Sequence, residues 1–144
     1  MYDTILIATD GSDRGTSAAE HGVDLASEVG ADVHAIYVIE TKAHYPYTVA
    51  GHDPGEMDDH QEYGEEVVEA VVDDAVDRGL DGVGAVRKGS VAEEILTYAD
   101  ERDADAIVIG AQGRSGLDRY LLGGTAEKIL RAAEVPVIVV HDGS

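Results

Sequence analysis

Glycine residues follow an apolar run near the C-terminal end of the chain, at a spacing that suits an anionic ligand. The stretch reads GAQGRSGLDRYLLGGTAEKIL from Gly110 onward, with two residues between Gly110 and Gly113 and nine between Gly113 and Gly123. Glycine lets backbone amides approach a ligand closely, and the unpaired amides at a helix start favour phosphate. Two arginines against one aspartate make the stretch locally positive in a chain of formal net charge −20. The pattern predicts a phosphate-binding loop to which the Thr125 hydroxyl could contribute, the alternative being glycines that only shape a surface loop.

A polar turn, Thr9-Asp10-Gly11-Ser12, follows the first apolar run and offers a second candidate. The Asp10 carboxylate could hydrogen-bond a ribose or help to hold Mg²⁺, which prefers carboxylate and phosphate oxygens. The alternative role for Asp10 is to cap the helix or turn that follows. Neither G-x-G-x-x-G after the first strand nor G-x-x-x-x-G-K-[ST] occurs, so the two common nucleotide-binding motifs do not apply.

The other reactive residue types show no arrangement typical of a catalytic or metal site. The chain has no cysteine, and its six histidines lack the paired spacing of a zinc site. No nucleophile–base pair can be identified, and Ser90 is expected to cap a helix instead. Arg87 and Lys88 could reach a phosphate, but ion pairs with nearby acids are the favoured interpretation. We therefore predict no catalytic residue.

Elements that alternate along the chain must position these candidates. Short apolar runs predict strands, and apolar residues at helical spacing predict helices between them. The predicted strands are Tyr2–Thr9, Val33–Ile39, Leu80–Arg87, Asp105–Ile109 and Val135–Val140. The predicted helices follow Ser12 up to Val29 and span Tyr63–Arg78, Val91–Arg102 and Gly124–Ala133.

This β-α-β alternation predicts an open parallel sheet of the α/β class, because runs that are apolar throughout are buried on both faces. A Rossmann-like order 3-2-1-4-5 and a flavodoxin-like order 2-1-3-4-5 both fit. Ligands of such sheets bind at the carboxyl ends of the strands beside the point where the strand order reverses. In the first order, strands one and four would bring the Asp10 turn and the glycine loop together.

The segment Glu40–Glu62 interrupts the alternation with prolines, glycines and acids, which predicts a long exposed loop. Its Tyr45-Pro46-Tyr47 cluster could cover a ligand, or the loop could be a solvated connection without a role.

Composition narrows the class of protein further. The 144 residues, 44% of them hydrophobic, suit one domain over 1–144. No signal peptide or bilayer-length apolar run is visible, so we expect a cytoplasmic protein without a membrane partner. A net charge of −20 disfavours nucleic acid and anionic lipid. Few lysines, many acids and a core without Phe or Trp indicate a salt-rich cytoplasm, with an ordinary acidic mesophile as the alternative.

Several of these motifs together resemble the universal stress protein family. The Gly110-x₂-Gly113-x₉-Gly123 spacing resembles the family's nucleotide loop, and the opening segment 2–12 is similar to its first strand and Asp-Gly-Ser turn. Three further segments match in register, namely Gly89–Ile95, Ala104–Gly110 and Val135–Val140. The resemblance covers nearly the whole chain apart from Glu40–Glu62.

The resemblance implies a five-stranded Rossmann-like sheet, similar to the adenine nucleotide alpha hydrolases, with order 3-2-1-4-5 and four helices on its two faces. It also implies the family's ATP-binding subgroup, with ATP and Mg²⁺ as ligands and Asp10 near the metal. By position, the nucleoside would contact Ala8, Thr9 and Asp10, and adenine would lie against Val38. Ribose and phosphates would contact the loop residues Gly110, Gln112, Gly113, Arg114, Gly123, Gly124 and Thr125.

One position departs from the family pattern, which places Ser or Thr directly after the last loop glycine. Here Gly124 stands at that position and Thr125 follows, so one hydroxyl ligand to phosphate is missing. The resemblance therefore leaves two interpretations open. The first is an ATP-binding regulatory or stress-response protein with at most slow hydrolysis. The second is the same fold binding AMP, another adenylate or no nucleotide, and acting as a dimeric interaction module.

The resemblance further implies a homodimer in which the edge strands Val135–Val140 pair antiparallel, whereas a monomer could blunt that edge with Pro136. Its protein partner is not implied. A flavodoxin-like electron carrier is disfavoured because no Phe or Trp could stack on a flavin. A receiver domain would need an acceptor aspartate after strand three, where Arg87 and Lys88 stand instead.

Overall fold

Five strands alternate with four helices in the computed structural model, which describes residues 2–11, 13–40, 54–110 and 124–141. The strands are β1 (Thr4–Ala8), β2 (Asp32–Glu40), β3 (Gly82–Gly89), β4 (Ala106–Gly110) and β5 (Val137–Val140). The helices are α1 (Asp13–Val29), α2 (Pro54–Asp77), α3 (Val91–Glu101) and α4 (Gly124–Ala132). Within these ranges no helix is both long enough and apolar enough to cross a membrane.

The strands form one parallel sheet in the order β3-β2-β1-β4-β5. This confirms the Rossmann-like prediction, and the flavodoxin-like order is wrong. The strand order reverses beside β1, where Ala8 pairs with Ile36 of β2 and Ile7 pairs with Val108 of β4. The carboxyl ends of β1 and β4 therefore meet at the predicted crevice.

Each face of the sheet is covered by two helices, which explains why β1 is apolar throughout. Ile5 and Ile7 point into a core shared with α1 and α2, and Leu6 points into a second core shared with α3 and α4. All three side chains are fully buried. Burial of such a side chain contributes about 1.5–3 kcal/mol, so a strand buried on both faces must be apolar at every position.

Gly22 lets α1 approach the sheet closely. A β-carbon built at this position would lie 2.6 Å from the Cδ1 atom of Ile7. A larger residue at this position would require the Ile7 side chain or α1 itself to shift.

Asp105 anchors the opposite, amino edge of the sheet. Its Oδ2 atom accepts hydrogen bonds from the backbone amides of Asp3 (2.7 Å) and Thr4 (3.0 Å). The Asp105 amide in turn donates to the Thr4 carbonyl at 2.8 Å. These three bonds join the start of β1 to the residue before β4.

The interpretation of Glu40–Glu62 as one long exposed loop is wrong for its last part, because α2 begins at Pro54 and not at Tyr63. Proline is tolerated in a first turn, where backbone amides have no helical acceptor. Acidic residues are also favoured near the positive end of the helix dipole. Residues 41–53, including the Tyr45-Pro46-Tyr47 cluster, lie outside the described residues.

Two smaller predictions, the Ser90 cap and the first residues of some strands, are wrong in part. Ser90 lies at the N-cap of α3, but its hydroxyl makes no capping hydrogen bond, so the predicted cap is wrong in its chemistry. Strands β1, β3 and β5 begin at Thr4, Gly82 and Val137, each two residues later than predicted. Pro136 has no amide hydrogen to donate, although its carbonyl accepts a bond from the Ile107 amide at 2.9 Å.

Candidate functional site

The turn after β1 is held at the carboxyl edge by its own backbone and by Thr9. The Thr9 amide donates to the Ile36 carbonyl of β2 at 3.1 Å, so the chain stays attached to the sheet one residue beyond β1. The Thr9 hydroxyl is buried and accepts a bond from the Gly11 amide at 3.3 Å. Gly11 has a φ of +79°, which favours glycine. Between them, the half-buried Asp10 is held at the mouth of the crevice.

The neighbouring strands bring three more predicted site residues to this edge. Since Ile7 pairs with Val108, β1 and β4 both reach the carboxyl edge two residues later, at Thr9 and Gly110. Ala8 and Val38 both pack against the core on the α3 and α4 side, so they share one face of the sheet. Ala8, Thr9, Asp10, Val38 and Gly110 are thus brought together as the sequence predicts.

Helix α4 begins at Gly124, where a β-carbon would meet none of the described residues within 4 Å. Gly124 and Thr125 are both exposed in the first turn of this helix, whose free amides suit an anion. The remaining predicted loop residues lie outside the described residues, namely Gln112, Gly113, Arg114 and Gly123.

Tyr63 of α2 contacts the turn from the other side, a contact that the sequence pattern does not predict. A β-carbon built on Gly11 would lie 2.9 Å from the ring carbon that carries the Tyr63 hydroxyl. The Tyr63 ring also packs edge-on against Tyr37 of β2, with ring centroids 5.7 Å apart. Tyr63 and Gly11 are more than fifty positions apart in the chain. Only the path of α2 across the sheet joins them, so no local signal could have identified the contact.

Metal binding at this edge would depend on few protein ligands. Within the described ranges, no group of three or more His, Asp or Glu side chains could hold a metal ion. Mg²⁺ commonly binds through one or two carboxylates together with substrate phosphates and water. A single carboxylate such as Asp10 therefore suits a magnesium–nucleotide complex better than a metal bound by protein alone.

Arg87, on β3, forms ion pairs with acidic residues, which is the interpretation favoured from the sequence. Its guanidinium donates to Glu101 at 2.7 Å and lies 4.0 Å from Glu94, both on α3. It also stacks 4.9 Å from the ring centroid of Tyr98. The hydrogen bond that Arg87 donates to Glu101 contributes most to raising the Arg87 pKa above its usual range, so the charge is permanent.

A partly buried polar pair joins β2 to α3. A 2.6 Å hydrogen bond joins His34 Nδ1 and the Tyr98 hydroxyl, and Tyr98 is fully buried. Burial, followed by the positive charge of Arg102, lowers the pKa of His34, while Asp32 opposes the shift. Burial also raises the pKa of Tyr98. The pair is therefore neutral near pH 7 and acts in packing, consistent with the prediction that His34 is a strand residue.

A groove of about 320 Å³ opens elsewhere, between the C-terminal ends of α3 and α4. Leu96, Ile107 and Val135 contribute apolar surface to it, and Asp100 and Asp103 are among its acidic residues. It adjoins the starts of β4 and β5, so it lies at the amino edge, away from the Asp10 turn. None of the predicted site residues in the described part of the chain lines this groove.

Comparison with known proteins identifies relatives over nearly the whole chain. The family model described as Universal stress protein family matches residues 1–141. Universal stress protein MJ0531 of Methanocaldococcus jannaschii is 36% identical over 140 residues, covering 97% of this chain and 82% of that protein. Universal stress protein YxiE of Bacillus subtilis is 28% identical over 148 residues, covering 98% of this chain and 100% of that protein.

Solved structures share the fold. Universal stress protein UspA from Lactobacillus plantarum superposes with a TM-score of 0.86 at 23% identity, covering 96% of this chain and 97% of that one. The universal stress protein from Archaeoglobus fulgidus in complex with dAMP has a TM-score of 0.70 at 23% identity, with the same coverage. A universal stress protein in complex with cAMP has a TM-score of 0.70 at 22% identity, covering 99% and 98%. Because the family model spans residues 1–141 and the M. jannaschii relative is 36% identical over 97% of the chain, this protein belongs to the universal stress protein family.

Proposed function

We propose that this chain binds an adenine nucleotide at the carboxyl edge of β1 and β4. The observation that carries the proposal is the juxtaposition of the Thr9-Asp10-Gly11 turn with Gly110, the first glycine of the G-x₂-G-x₉-G spacing. Family members of the same fold that are complexed with dAMP and cAMP support an adenine nucleotide as the ligand class.

The residues of the site divide between nucleoside and phosphate. Ala8, Thr9 and Asp10 would contact the nucleoside, and Val38 would contact adenine. The phosphates would bind the glycine loop and the first turn of α4, through Gly110, Gln112, Gly113, Arg114, Gly123, Gly124 and Thr125. In a chain of net charge −20, these amides and one arginine provide the local positive potential that a phosphate needs.

The ligand is proposed to be ATP with Mg²⁺. Bound Mg²⁺ would neutralise phosphate charge, and Asp10 would be the protein carboxylate nearest to it. Asp10 is half-buried and follows a strand whose three central residues are fully buried, so its position is set by the sheet. No residue of the described site is arranged as a catalytic base, and binding that regulates a partner fits the site better than turnover.

A monophosphate ligand is the second candidate, and two observations favour it. The ligands in the two complexed family members are dAMP and cAMP, each with a single phosphate. Gly124 also lacks the hydroxyl that the family pattern places next to the phosphates. AMP would need fewer phosphate ligands than ATP.

The first experiment identifies the ligand. The protein is purified in high salt with Mg²⁺, denatured, and any released nucleotide is identified by chromatography; ATP, ADP and AMP are then titrated into the stripped protein. Micromolar binding that Gly113→Val and Gly123→Val abolish would support the glycine loop as the site. Asp10→Asn should weaken ATP binding when Mg²⁺ is present, whereas Asp3→Asn, which removes the same charge at the other end of β1, should not. Absence of binding at millimolar concentrations of all three nucleotides would contradict the proposal.

Gly124 offers a sharper test of ATP against AMP. Because a β-carbon here would meet no residue of the described ranges within 4 Å, Gly124→Ser should add a hydroxyl without a clash against them. It should tighten ATP binding about three- to tenfold, the effect of one hydrogen bond. Gly124→Ala adds a carbon without the hydroxyl and serves as the matched control. If serine and alanine change the ATP affinity equally, the Gly124 position does not contact the phosphates.

We propose further that the protein works in a salt-rich cytoplasm as a homodimer without nucleic-acid or membrane partners. Its nucleotide would regulate a stress response through a protein partner. The β5 strand supports the dimer, since it lies at the sheet edge with Val137, Ile138 and Val139 only partly buried. Pairing with a second copy would satisfy the free backbone groups of that edge. Sedimentation equilibrium in molar salt should give twice the chain mass, and a monomer at all concentrations would contradict it.

A further inference from the structure

The α2 side of the Asp10 turn is covered by Tyr63. Its ring lies in the space that a side chain on Gly11 would occupy, with two ring carbons 2.9 and 3.1 Å from a β-carbon built there. Gly11 has a φ of +79°, and glycine enters other backbone conformations readily. A ring in contact with the turn reduces the number of conformations that Gly11 can reach.

Tyr63 is itself held in place by β2. It packs edge-on against Tyr37, with ring centroids 5.7 Å apart and an interplanar angle of 77°. The next residue, Gly64, lies so close to Tyr37 that a β-carbon there would be 2.6 Å from its Cδ1 atom. Tyr37 is buried, with 5% of its surface exposed, so this turn of α2 packs against a side chain of the core. A continuous contact therefore runs from β2 through Tyr63 to the turn that holds Asp10.

We propose that Tyr63 is a positioning residue of the nucleotide site, which keeps the Thr9-Asp10-Gly11 turn in its binding conformation. The inference rests on the proposed nucleotide binding at that turn. Tyr63 remains 43% exposed, more than a residue serving only the core would be. A turn ordered in advance spares the ligand the entropy of ordering it, which raises affinity without a direct contact.

The test compares three variants by nucleotide titration and by thermal unfolding of the ligand-free protein. Tyr63→Ala should weaken ATP binding about five- to twentyfold, corresponding to the freedom regained by one backbone residue. Tyr63→Phe keeps the ring and should bind within about twofold of the wild type. Val76→Ala removes an exposed apolar side chain from the same helix, away from the turn, and should leave the affinity unchanged.

A double-mutant cycle separates positioning from a merely structural role. If Tyr63 acts through the turn, Tyr63→Ala should cost less affinity in an Asp10→Asn background than in the wild type. Loss of stability alone would lower the unfolding temperature of Tyr63→Ala without this dependence on Asp10. ATP binding by Tyr63→Ala within about twofold of the wild type would overturn the inference and leave the nucleotide site standing. Absence of binding by the wild type would overturn the proposed function itself.

A second variant applies if Tyr63→Ala does not fold. Tyr63→Leu keeps an apolar side chain beside Tyr37 but lacks the ring that reaches Gly11. It should weaken ATP binding about threefold or more. ATP binding by Tyr63→Leu within about twofold of the wild type would overturn the inference.

Discussion

At the scale of single residues, Thr9 and Gly11 fix the conformation of the turn after β1, which is part of the candidate site. The Thr9 amide continues the hydrogen bonding of the sheet, and its hydroxyl turns back to the Gly11 amide. Gly11 then takes a positive φ that an L-residue enters at a cost of about 1–2 kcal/mol. Asp10 is held between two residues whose conformations are both constrained, although neither residue type is unusual in a turn.

His34 leads to a prediction about pH. Its pKa is lowered by burial and by Arg102, so near pH 6.5 the unfolded chain binds a proton there more readily than the folded chain does. The free energy of unfolding should therefore fall as the pH drops through about 6.5, and level off below the folded-state pKa. Above that range His34 is neutral in both states and contributes no pH dependence.

The measurement is chemical unfolding between about pH 8 and pH 5, compared for His34→Gln and the wild type. His34→Gln should remove part of the slope, equivalent to less than one proton. The control is Ser27→Ala on the exposed surface of α1, which changes no group that titrates in this range and should keep the wild-type slope. Identical slopes in all three proteins would show that His34 titrates alike in both states.

At the scale of elements, the hydrogen bonds of Asp105 fix β1 against β4 at the edge opposite the site. Its carboxylate accepts two backbone amides from the start of β1, and its own amide bonds back to Thr4. The register set there places Thr9 and Gly110 together at the far edge. Asp105 at the amino edge thus helps to align the candidate site at the carboxyl edge.

We expect Asp105→Ala to lower the free energy of unfolding by about 1–3 kcal/mol, because two amides lose a charged acceptor. Asp105→Asn keeps an acceptor oxygen and should lose less. Asp100→Ala removes an equal charge from the exposed last turn of α3 and should change stability little. Urea unfolding of the three variants measures the difference, and equal losses for Asp105→Ala and Asp100→Ala would contradict the anchoring role.

At the scale of the whole molecule, the main feature is the large excess of negative charge. Thirty acidic residues face ten basic ones, and the exposed face of α2 alone carries Glu66, Glu69 and Asp73. Some acids form ion pairs, such as Asp24 and Asp74 with Arg78. Because acidic residues outnumber basic ones three to one, most of the negative charges repel one another. This repulsion destabilises the compact state, and salt screens it.

The unfolding temperature should therefore rise steeply between about 0.1 M and 2 M KCl, as the Debye length falls from about 10 Å to below 3 Å. A triple variant, E66Q/E69Q/D73N, has less charge to screen and should gain less from added salt. An unfolding temperature that is the same in dilute and concentrated salt would contradict the proposed adaptation to a salt-rich cytoplasm.

Much of the fold followed from pattern. Apolar runs such as the one in β1 mark strands buried on two faces, and all five strands and four helices were placed in the correct order. The sequence pattern does not predict the start of α2, because Pro54, Gly55 and the acids that follow are residue types typical of loops. The first turn of a helix nevertheless accepts them. The pattern alone also left two strand orders open, since local periodicity says nothing about which strands pair.

The candidate site, like the fold, can be predicted only in part from the sequence. The residue types and spacings that favour a nucleotide, from the Asp10 turn to the glycines after β4, can be recognised in the sequence because they are properties of short segments. Strand pairing in the folded chain brings Thr9 and Gly110 to one edge, which the sequence pattern predicts for one of its two possible strand orders. The folded chain also places Tyr63 over Gly11, a contact that the sequence pattern does not predict. Those contacts join residues far apart in the chain, and they depend on strand pairing and on the path of a helix across the sheet, which are set by the packing of the whole core.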